Sequence, residues 1–465
     1  MDIAYRLAEY AATLKAEDIS AAAVEATKRD LYDTLACGFA GPSAKGIQEL
    51  LEFAEECGGA EQATTFLFGK KFPAPIAAMI NTVLMHGCDY DDNHDTAMLH
   101  SGALVISSAL AAAELAGGVS GKDSLAAVTA GLDIHCRLGL ASTVGIVESG
   151  WIFTTVLGIF GATAAAGRVL GLTPEEMLNA FGIAYSQAAG NYQAITDSSW
   201  TKRMQTGFSS RSAVTSAMLA KKGVVGAKNV FEGKYGLYYV YLHDRYNPAP
   251  LHEGIGKTFG HEDMAFKPWP CARPNHAPIN ACLEARERFH PDPKHIKHVE
   301  IRMNKHLYTC SCIPEDVRHH PTSIVEGQFS IPYVSACALV NGKVGLRDFT
   351  NEGIARADVL ELCAKIDGVV DEEIERRCPA KVCPVTVKIE MQDGTVYEHH
   401  MEKTLGCMEK PMSEADFDEK MRDCIAFCPL PVAKDAGERI KALVYGIETV
   451  KDCREIVQTM QAERS

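Results

Sequence analysis

Residues 85–114 read MHGCDYDDNHDTAMLHSGALVISSALAAAE, and this stretch joins a cluster of ionisable side chains to a long apolar run. The ionisable side chains, here called the Asp/His cluster, are His86, His94, His100, Asp89, Asp91, Asp92 and Asp95. The small apolar residues that follow predict a buried helix beginning near Gly102, with Ser101 as its N-cap. The backbone N–H groups at that helix start would suit a carboxylate ligand. Because burying ionisable groups is costly unless they are paired or used, the cluster predicts a functional site.

The Asp/His cluster allows three interpretations. The first is a metal site, but the cluster has neither a His-x-x-x-His pair nor the spacing of a calcium loop, so we predict no metal. The second is a helix end whose aspartates only cap backbone N–H groups. In the third, which we favour, His100 is an acid/base group and Asp89 or Asp92 fixes its tautomer. The members then expected to be structural are His86, His94, Asp91 and Asp95.

Composition and charge exclude several classes of function. The formal net charge of −14 argues against a nucleic-acid or anionic-membrane partner. The most apolar window, residues 153–172, is interrupted by Arg168, so we predict no membrane span. The 16 cysteines are scattered without convincing zinc spacing. These features together predict a cytoplasmic protein in a reducing compartment.

The chain has 465 residues, which is enough for two domains. Residues 1–266 and 405–465 have helical periodicity, which suggests that the C-terminal part rejoins the first domain. Residues 267–404 mix helical and alternating patterns, as a smaller α+β domain does. Within that range, the dipeptide Asp393-Gly394 separates two alternating runs and predicts a β-hairpin.

Lys202 and Arg203 come just before a predicted helix at residues 209–222. Taken alone, a Lys-Arg pair usually belongs to a solvated surface. The apolar spacing of this helix nevertheless implies burial, and partial desolvation would lower the pKa of Lys202 and make it a usable base.

Residues 267–276 read KPWPCARPNH and lie where the helical texture changes to the α+β texture. The prolines stiffen this segment. Lys267, Arg273 and His276 are three potential cations beside a helix start. They favour a site for an anionic ligand, and a rigid linker with exposed charges is the alternative.

Three stretches, namely the Asp/His cluster, the Lys202-Arg203 segment and residues 267–276, taken together and in this order, resemble the MmgE/PrpD family. This family includes 2-methylcitrate dehydratase, cis-aconitate decarboxylase and iminodisuccinate epimerase. The matching positions are Asp89-Tyr90-Asp91-Asp92, His100-Ser101-Gly102-Ala103, Thr201-Lys202-Arg203 with Gly207, and Lys267, Pro270, Cys271 and His276. The resemblance implies a mainly α fold with a large all-helical domain built from both chain ends and an inserted smaller α+β lid domain. It also implies a homodimer that uses no metal or other cofactor. The substrate that this homodimer is expected to bind is a small di- or tricarboxylate.

The resemblance also implies roles for individual residues. His100 and Lys202 are the expected acid/base pair, and Asp89 or Asp92 is expected to orient His100. The predicted substrate-binding residues are Lys267, Arg273, His276, Arg203 and Asn93; the guanidinium groups can bind carboxylates bidentately.

The chain departs from the family's pattern at four places. A tyrosine of the decarboxylase-like members is absent around Val317, and Asn93 stands where a threonine often follows the aspartate pair. Ile152 and Ala272 stand where those members carry histidines, which makes cis-aconitate decarboxylation a weaker alternative. We therefore predict a lyase that abstracts a proton next to a carboxylate, foremost a hydro-lyase like 2-methylcitrate dehydratase. A dicarboxylate epimerase like iminodisuccinate epimerase is the main alternative. A decarboxylase and a non-catalytic polycarboxylate binder are the others.

Overall fold

The computed structural model describes residues 1–379 and 381–463, and the chain divides into two compact units. Unit 1 consists of Met1–Gly87, Asp91–Met264 and Lys420–Ser465, and unit 2 consists of Cys88–Tyr90 and Ala265–Glu419. Residues 464 and 465 of the predicted helical domain and residue 380 of the predicted lid domain lie outside the described residues. The protein is mostly helical with a small sheet, so the mainly α class is confirmed. The predicted domain boundaries stay a prediction.

Unit 1 contains helices from both ends of the chain. Helices α1–α14 are Ala4–Thr13, Ala21–Ala40, Ile47–Cys57, Ala74–His86, Gly102–Leu115, Gly121–Ala141, Ile146–Ser149, Phe153–Val156, Gly158–Val169, Pro174–Tyr185, Gln193–Thr196, Thr201–Lys221, Leu237–Leu242 and Ala249–His252. Helices α24 (Ala436–Tyr445) and α25 (Arg454–Thr459) complete it, and α23 (Glu414–Phe427) crosses from the residue range of unit 2 into that of unit 1.

The all-helical description of the first domain is wrong in one detail. Strands β1 (Ala63–Thr64) and β2 (Lys71–Phe72) form an antiparallel ladder in unit 1. Each strand has only two residues, so neither could show the alternating pattern on which a sequence-based strand prediction depends.

Helix α4 packs against both α5 and α12, and small residues make these contacts close. Gly207 of α12 is the clearest case, since a Cβ there would lie 2.6 Å from the backbone oxygen of Met79 in α4. Glycine at this position therefore allows the two helix backbones to approach each other. This approach places the first turn of α12 beside the last turn of α4, where two side chains of the candidate site begin.

Unit 2 is built around a four-stranded sheet. Its helices α15–α22 are His276–Phe289, Lys305–Ser311, Glu315–His319, Ile324–Gln328, Ile331–Asn341, Asn351–Ile354, Ala357–Cys363 and Glu372–Arg377. Its strands β3–β6 are Ile296–Met303, Ile366–Val370, Val385–Met391 and Val396–Met401. The strand order is β4-β3-β5-β6; β3 and β4 are parallel and the other pairs are antiparallel.

The hairpin predicted at Asp393-Gly394 is confirmed, because it joins β5 to β6 and Gly394 has a φ of 87°. Such a positive φ costs glycine little and explains why the turn lies there. Helix α15 packs on β5 and β6, over a core that includes the fully buried Val299 and Val387. His276 is the first residue of this helix.

Candidate active site

The last residue of α4, His86, is 1% exposed and lies between two charged side chains of unit 1. Its Nε2 is 3.4 Å from Nζ of Lys202, and its Nδ1 is 2.8 Å from Oδ2 of Asp91. When Lys202 is an ammonium group, which can only donate, Nε2 of His86 is the acceptor and the ring proton is on Nδ1. That Nδ1–H donates to the Asp91 carboxylate. Asp91, His86 and Lys202 thus form a continuous hydrogen-bonded chain.

His100 lies beside this chain, with its ring centroid 5.3 Å from that of His86. Its Nδ1 is 2.5 Å from the backbone oxygen of Asp92. A carbonyl oxygen can only accept, so the proton of neutral His100 is on Nδ1, and Nε2 carries the lone pair of a base. The group that fixes this tautomer is a backbone carbonyl. The carboxyl group of Asp92 therefore does not fix this tautomer, and the expectation that Asp89 orients His100 stays a prediction.

The carboxylate of Asp92 caps helix α5 instead. Its Oδ2 accepts hydrogen bonds from the backbone N–H groups of Ser101, at 2.7 Å, and Gly102, at 3.2 Å. The Ser101 side chain makes no capping bond and lies 2.9 Å from Nδ1 of His135. Ser101 is therefore the N-cap residue, as predicted, but its side chain does not cap the helix. The helix start is also no ready site for a substrate carboxylate, because the protein's own carboxylate already occupies it.

Burial and the charge of Asp91 together raise the pKa of Asp92 to about 8, although the hydrogen bonds from the N–H groups of Ser101 and Gly102 lower it. Asp30 of α2 is also fully buried, and its pKa is raised well above the usual range by burial and by Asp92. A Cβ on Gly102 would lie 2.4 Å from Oδ1 of Asp30, so only glycine lets α5 begin this close to α2. The start of helix α5 therefore lies in a region of closely spaced, poorly solvated carboxyl groups.

Lys202 and Arg203 are buried, at 7% and 5% exposure. Helix α12 begins at Thr201 rather than near 209, so both residues lie in its first turn. The surface interpretation of this Lys-Arg pair is therefore wrong. The first residues of this helix, 201–206 (TKRMQT), are mostly polar and therefore show no helical period of apolar residues.

Unit 2 contains the other predicted site residues. Nζ of Lys267 is 2.5 Å from Oδ1 of Asp89 and 3.1 Å from its backbone oxygen, and the Lys267 side chain is 0% exposed. Asp89 has a φ of 56°, a left-handed conformation that aspartate tolerates better than most residues. Within unit 2, the Asp89 carboxylate is therefore the counter-ion of Lys267.

Two further predicted residues of unit 2 lie near Lys267. Arg273 is 7% exposed, and His276 is fully buried with Nε2 3.3 Å from the backbone oxygen of Cys271. Burial lowers the pKa of His276 well below its usual value, and the positive charges of Arg273 and Lys267 lower it further. Burial therefore favours the neutral form of the His276 imidazole, and its predicted role in substrate binding stays a prediction.

Asn93, His94 and Asp95 make hydrogen bonds that stabilise the loop between α4 and α5. Asn93, a predicted substrate-binding residue, donates from Nδ2 to Asp95 Oδ1 at 2.6 Å. His94 contacts the backbone oxygen of Gly260 through Nε2, at 3.1 Å, and accepts a hydrogen bond from the N–H of Ala97 through Nδ1, at 3.2 Å.

The sequence pattern predicts that His86 and Asp91 are structural residues and does not connect them with Lys202. The one local signal was a histidine five positions before an aspartate in an ionisable stretch. Lys202 is 116 positions from His86, and no spacing rule relates residues that far apart.

The described residues contain neither a metal-binding cluster nor a membrane-spanning helix. No group of three or more His, Cys, Asp or Glu side chains within 1–379 and 381–463 is arranged to hold a metal ion. In the same part of the chain, no helix has the length and apolar character needed to cross a membrane.

The chain resembles known proteins over almost its whole length. The MmgE/PrpD N-terminal domain family matches residues 5–249, and the MmgE/PrpD C-terminal domain family matches residues 269–444. The chain is 29% identical to a cis-aconitate decarboxylase of Aspergillus terreus, over 88% of this chain and 86% of that protein. It is 26% identical to the cis-aconitate decarboxylase-like protein oryM of Aspergillus oryzae, over 99% and 98% respectively. It is 25% identical to the cis-aconitate decarboxylase of Homo sapiens, over 95% and 90%.

Proposed function

Because the chain belongs to the MmgE/PrpD family, we propose that it is a lyase acting on a small tricarboxylate, with His100 and Lys202 as its acid/base pair. The relatives described above are named for cis-aconitate, which is a tricarboxylate. One observation carries the proposal. In unit 1, Nδ1 of His100 contacts a backbone carbonyl oxygen, which favours the tautomer with a basic Nε2, and Nζ of Lys202 contacts the neighbouring imidazole of His86.

A base and an acid close together are what the elimination of water requires. His100 takes the proton from a carbon next to a carboxylate, and the C–H electron pair becomes the new C=C bond. The C–O bond breaks, and Lys202 donates a proton to the departing hydroxyl group, which leaves as water. His100 then returns its proton to solvent and Lys202 regains one. The reaction that this pair of protonation states supports best is that of a hydro-lyase like 2-methylcitrate dehydratase.

The second candidate is cis-aconitate decarboxylation, which the names of the relatives favour. Loss of CO₂ requires one proton donor at carbon, and Lys202 could supply it. The residues at the two positions where decarboxylase-like members carry histidines are apolar and buried here, Ile152 at 8% exposure and Ala272 at 4%. Neither can move a proton, and we therefore rank dehydration first.

Other predicted features stay proposals. The residues proposed to bind the substrate are Lys267, Arg273, His276, Arg203 and Asn93, with the lysine and the arginines on its carboxylates. The homodimer, the cytoplasmic location and the independence from cofactors stay predictions. The dicarboxylate epimerase remains an alternative, since a two-base reaction could use the same pair.

The test is incubation of the protein in D₂O with 2-methylcitrate, citrate, cis-aconitate and iminodisuccinate, each followed by NMR. We expect loss of water from a hydroxytricarboxylate. Release of CO₂ from cis-aconitate would overturn the hydro-lyase in favour of the second candidate, and deuterium uptake with inversion would indicate the epimerase. Absence of turnover for all four compounds would overturn the proposal.

Two variants test the assignment of residues. His100→Gln and Lys202→Met should each lower kcat by roughly a hundredfold or more. His94→Gln is the matched control, since His94 is a buried histidine of the same loop whose ring contacts only backbone groups among its described hydrogen bonds. Wild-type turnover by either site variant would contradict the assignment.

A further inference from the structure

We propose that His86 and Asp91 are a positioning pair that holds the Lys202 ammonium in place for proton transfer. This inference rests on the proposed function of Lys202. Neither member of the pair is expected to touch the reacting atoms. His86 acts through Lys202, and Asp91 acts through His86.

The hydrogen-bond directions along the chain support this role. The Lys202 ammonium donates to Nε2 of His86 over 3.4 Å, and Nδ1–H donates to Asp91 over 2.8 Å. Each bond is possible only with the His86 proton on Nδ1. A carboxylate at Nδ1 stabilises this tautomer and therefore keeps Nε2 available as an acceptor.

Burial makes the arrangement specific. The side chains of His86 and Asp91 are 2% and 0% exposed, and Lys202 is 7% exposed as a residue. A long lysine side chain has many rotamers, and an acceptor fixed in the last turn of α4 selects one of them. The close contact of α4 with α12 sets the separation between donor and acceptor.

The pair also suits a lysine that changes protonation state during turnover. As an ammonium group, Lys202 donates one of its three N–H bonds to His86. After it has given a proton to the leaving group, the neutral amine still has two N–H bonds and can keep donating to Nε2. His86 therefore holds the nitrogen in one place throughout the cycle without changing its own tautomer.

Two substitutions at position 86 separate positioning from simple structural support. His86→Gln places an amide oxygen close to the former Nε2 and retains an acceptor for Lys202. His86→Asn reaches only as far as the former Nδ1, so it can donate to Asp91 but offers Lys202 no acceptor. We expect kcat to fall by roughly a hundredfold in His86→Asn and by no more than about tenfold in His86→Gln, with KM little changed in both. Equal losses in the two variants, or greater activity in His86→Asn, would overturn the proposal.

A second measurement does not depend on turnover. In protein labelled with ¹⁵N-histidine, the shifts of the His86 ring nitrogens should identify a neutral ring protonated on Nδ1. They are assigned by comparison with His86→Gln, and His94→Gln serves as the control spectrum. A ring protonated on Nε2 would overturn the inference even in an active enzyme. If no substrate is turned over but the Nδ1–H tautomer is found, the proposed function fails while the positioning of Lys202 stands.

Discussion

Adding one methyl group at Gly207 tests how strongly the candidate site depends on the approach of α4 to α12. A Cβ at this position would lie 2.6 Å from the Met79 backbone oxygen and 2.6 Å from Cγ2 of Val83. Ordinary van der Waals contacts begin at 3.4 Å, so relieving the contact with the Met79 oxygen requires a separation of the two helices of up to about 0.8 Å. The Met79 oxygen belongs to a helix backbone and cannot rotate away, so α12 itself has to move.

The expected effects of Gly207→Ala on stability and on activity differ in size. Overpacking costs about 2 kcal/mol, and replacing glycine by alanine in a helix returns about 1 kcal/mol, so the free energy of unfolding should fall by only about 1 kcal/mol. The distance from Lys202 Nζ to His86 Nε2 is already 3.4 Å, and moving α12 by most of an ångström would break this hydrogen bond. A misplacement of that size costs roughly a hundredfold in rate, so kcat should fall far more than stability does.

The assay combines urea unfolding with kcat for the substrate identified by NMR. Gly167→Ala in α9 is the matched control, because the atoms within reach of its Cβ are the side-chain ends of Met177 and Leu172, which can rotate away. It should keep wild-type activity. A Gly207→Ala protein with wild-type kcat, or with an unchanged Lys202–His86 distance in its own structure, would refute the reasoning.

Two further predictions concern buried carboxyl groups. Because folding raises the pKa of Asp92 from about 4 to about 8, the folded protein retains a proton that the unfolded chain releases between these pH values. Stability should therefore fall as pH rises across this window, by up to about 1 kcal/mol per pH unit, and Asp92→Asn should flatten this slope in urea unfolding. Asp358→Asn is the control and should leave the slope unchanged, because a hydrogen bond from Arg356 lowers the pKa of Asp358, which therefore stays ionised across the window. Lys267→Met removes the ammonium group that lies 2.5 Å from the buried Asp89 carboxylate, so the free energy of unfolding should fall by about 3–5 kcal/mol. The double variant Asp89→Asn/Lys267→Met should recover most of this loss, because it leaves no unpaired buried charge. A double variant as unstable as the single one would contradict a paired-charge origin.

Local sequence patterns predicted much of the secondary structure. Asp393-Gly394 identified the β5–β6 hairpin because the turn conformation depends on those two residues. The apolar run after His100 identified α5, which begins at Gly102 as predicted. Strand β4 was not predicted, since its burial alternates too little to show a period of two and its pairing with β3 is between residues distant in the sequence.

The sequence by itself determined the helical class, the family and the cluster of ionisable residues from which the candidate site is built, because periodicity and motif order are properties of the chain alone. Only the tertiary structure decided what each ionisable residue does. Asp92 caps a helix, Asp89 balances Lys267, and His86 accepts a hydrogen bond from Lys202. These assignments depend on which side chains meet after the helices have packed. The same aspartate or histidine can cap, pair or transfer a proton, and its neighbours in space select among these roles through burial, charge and the direction of each hydrogen bond.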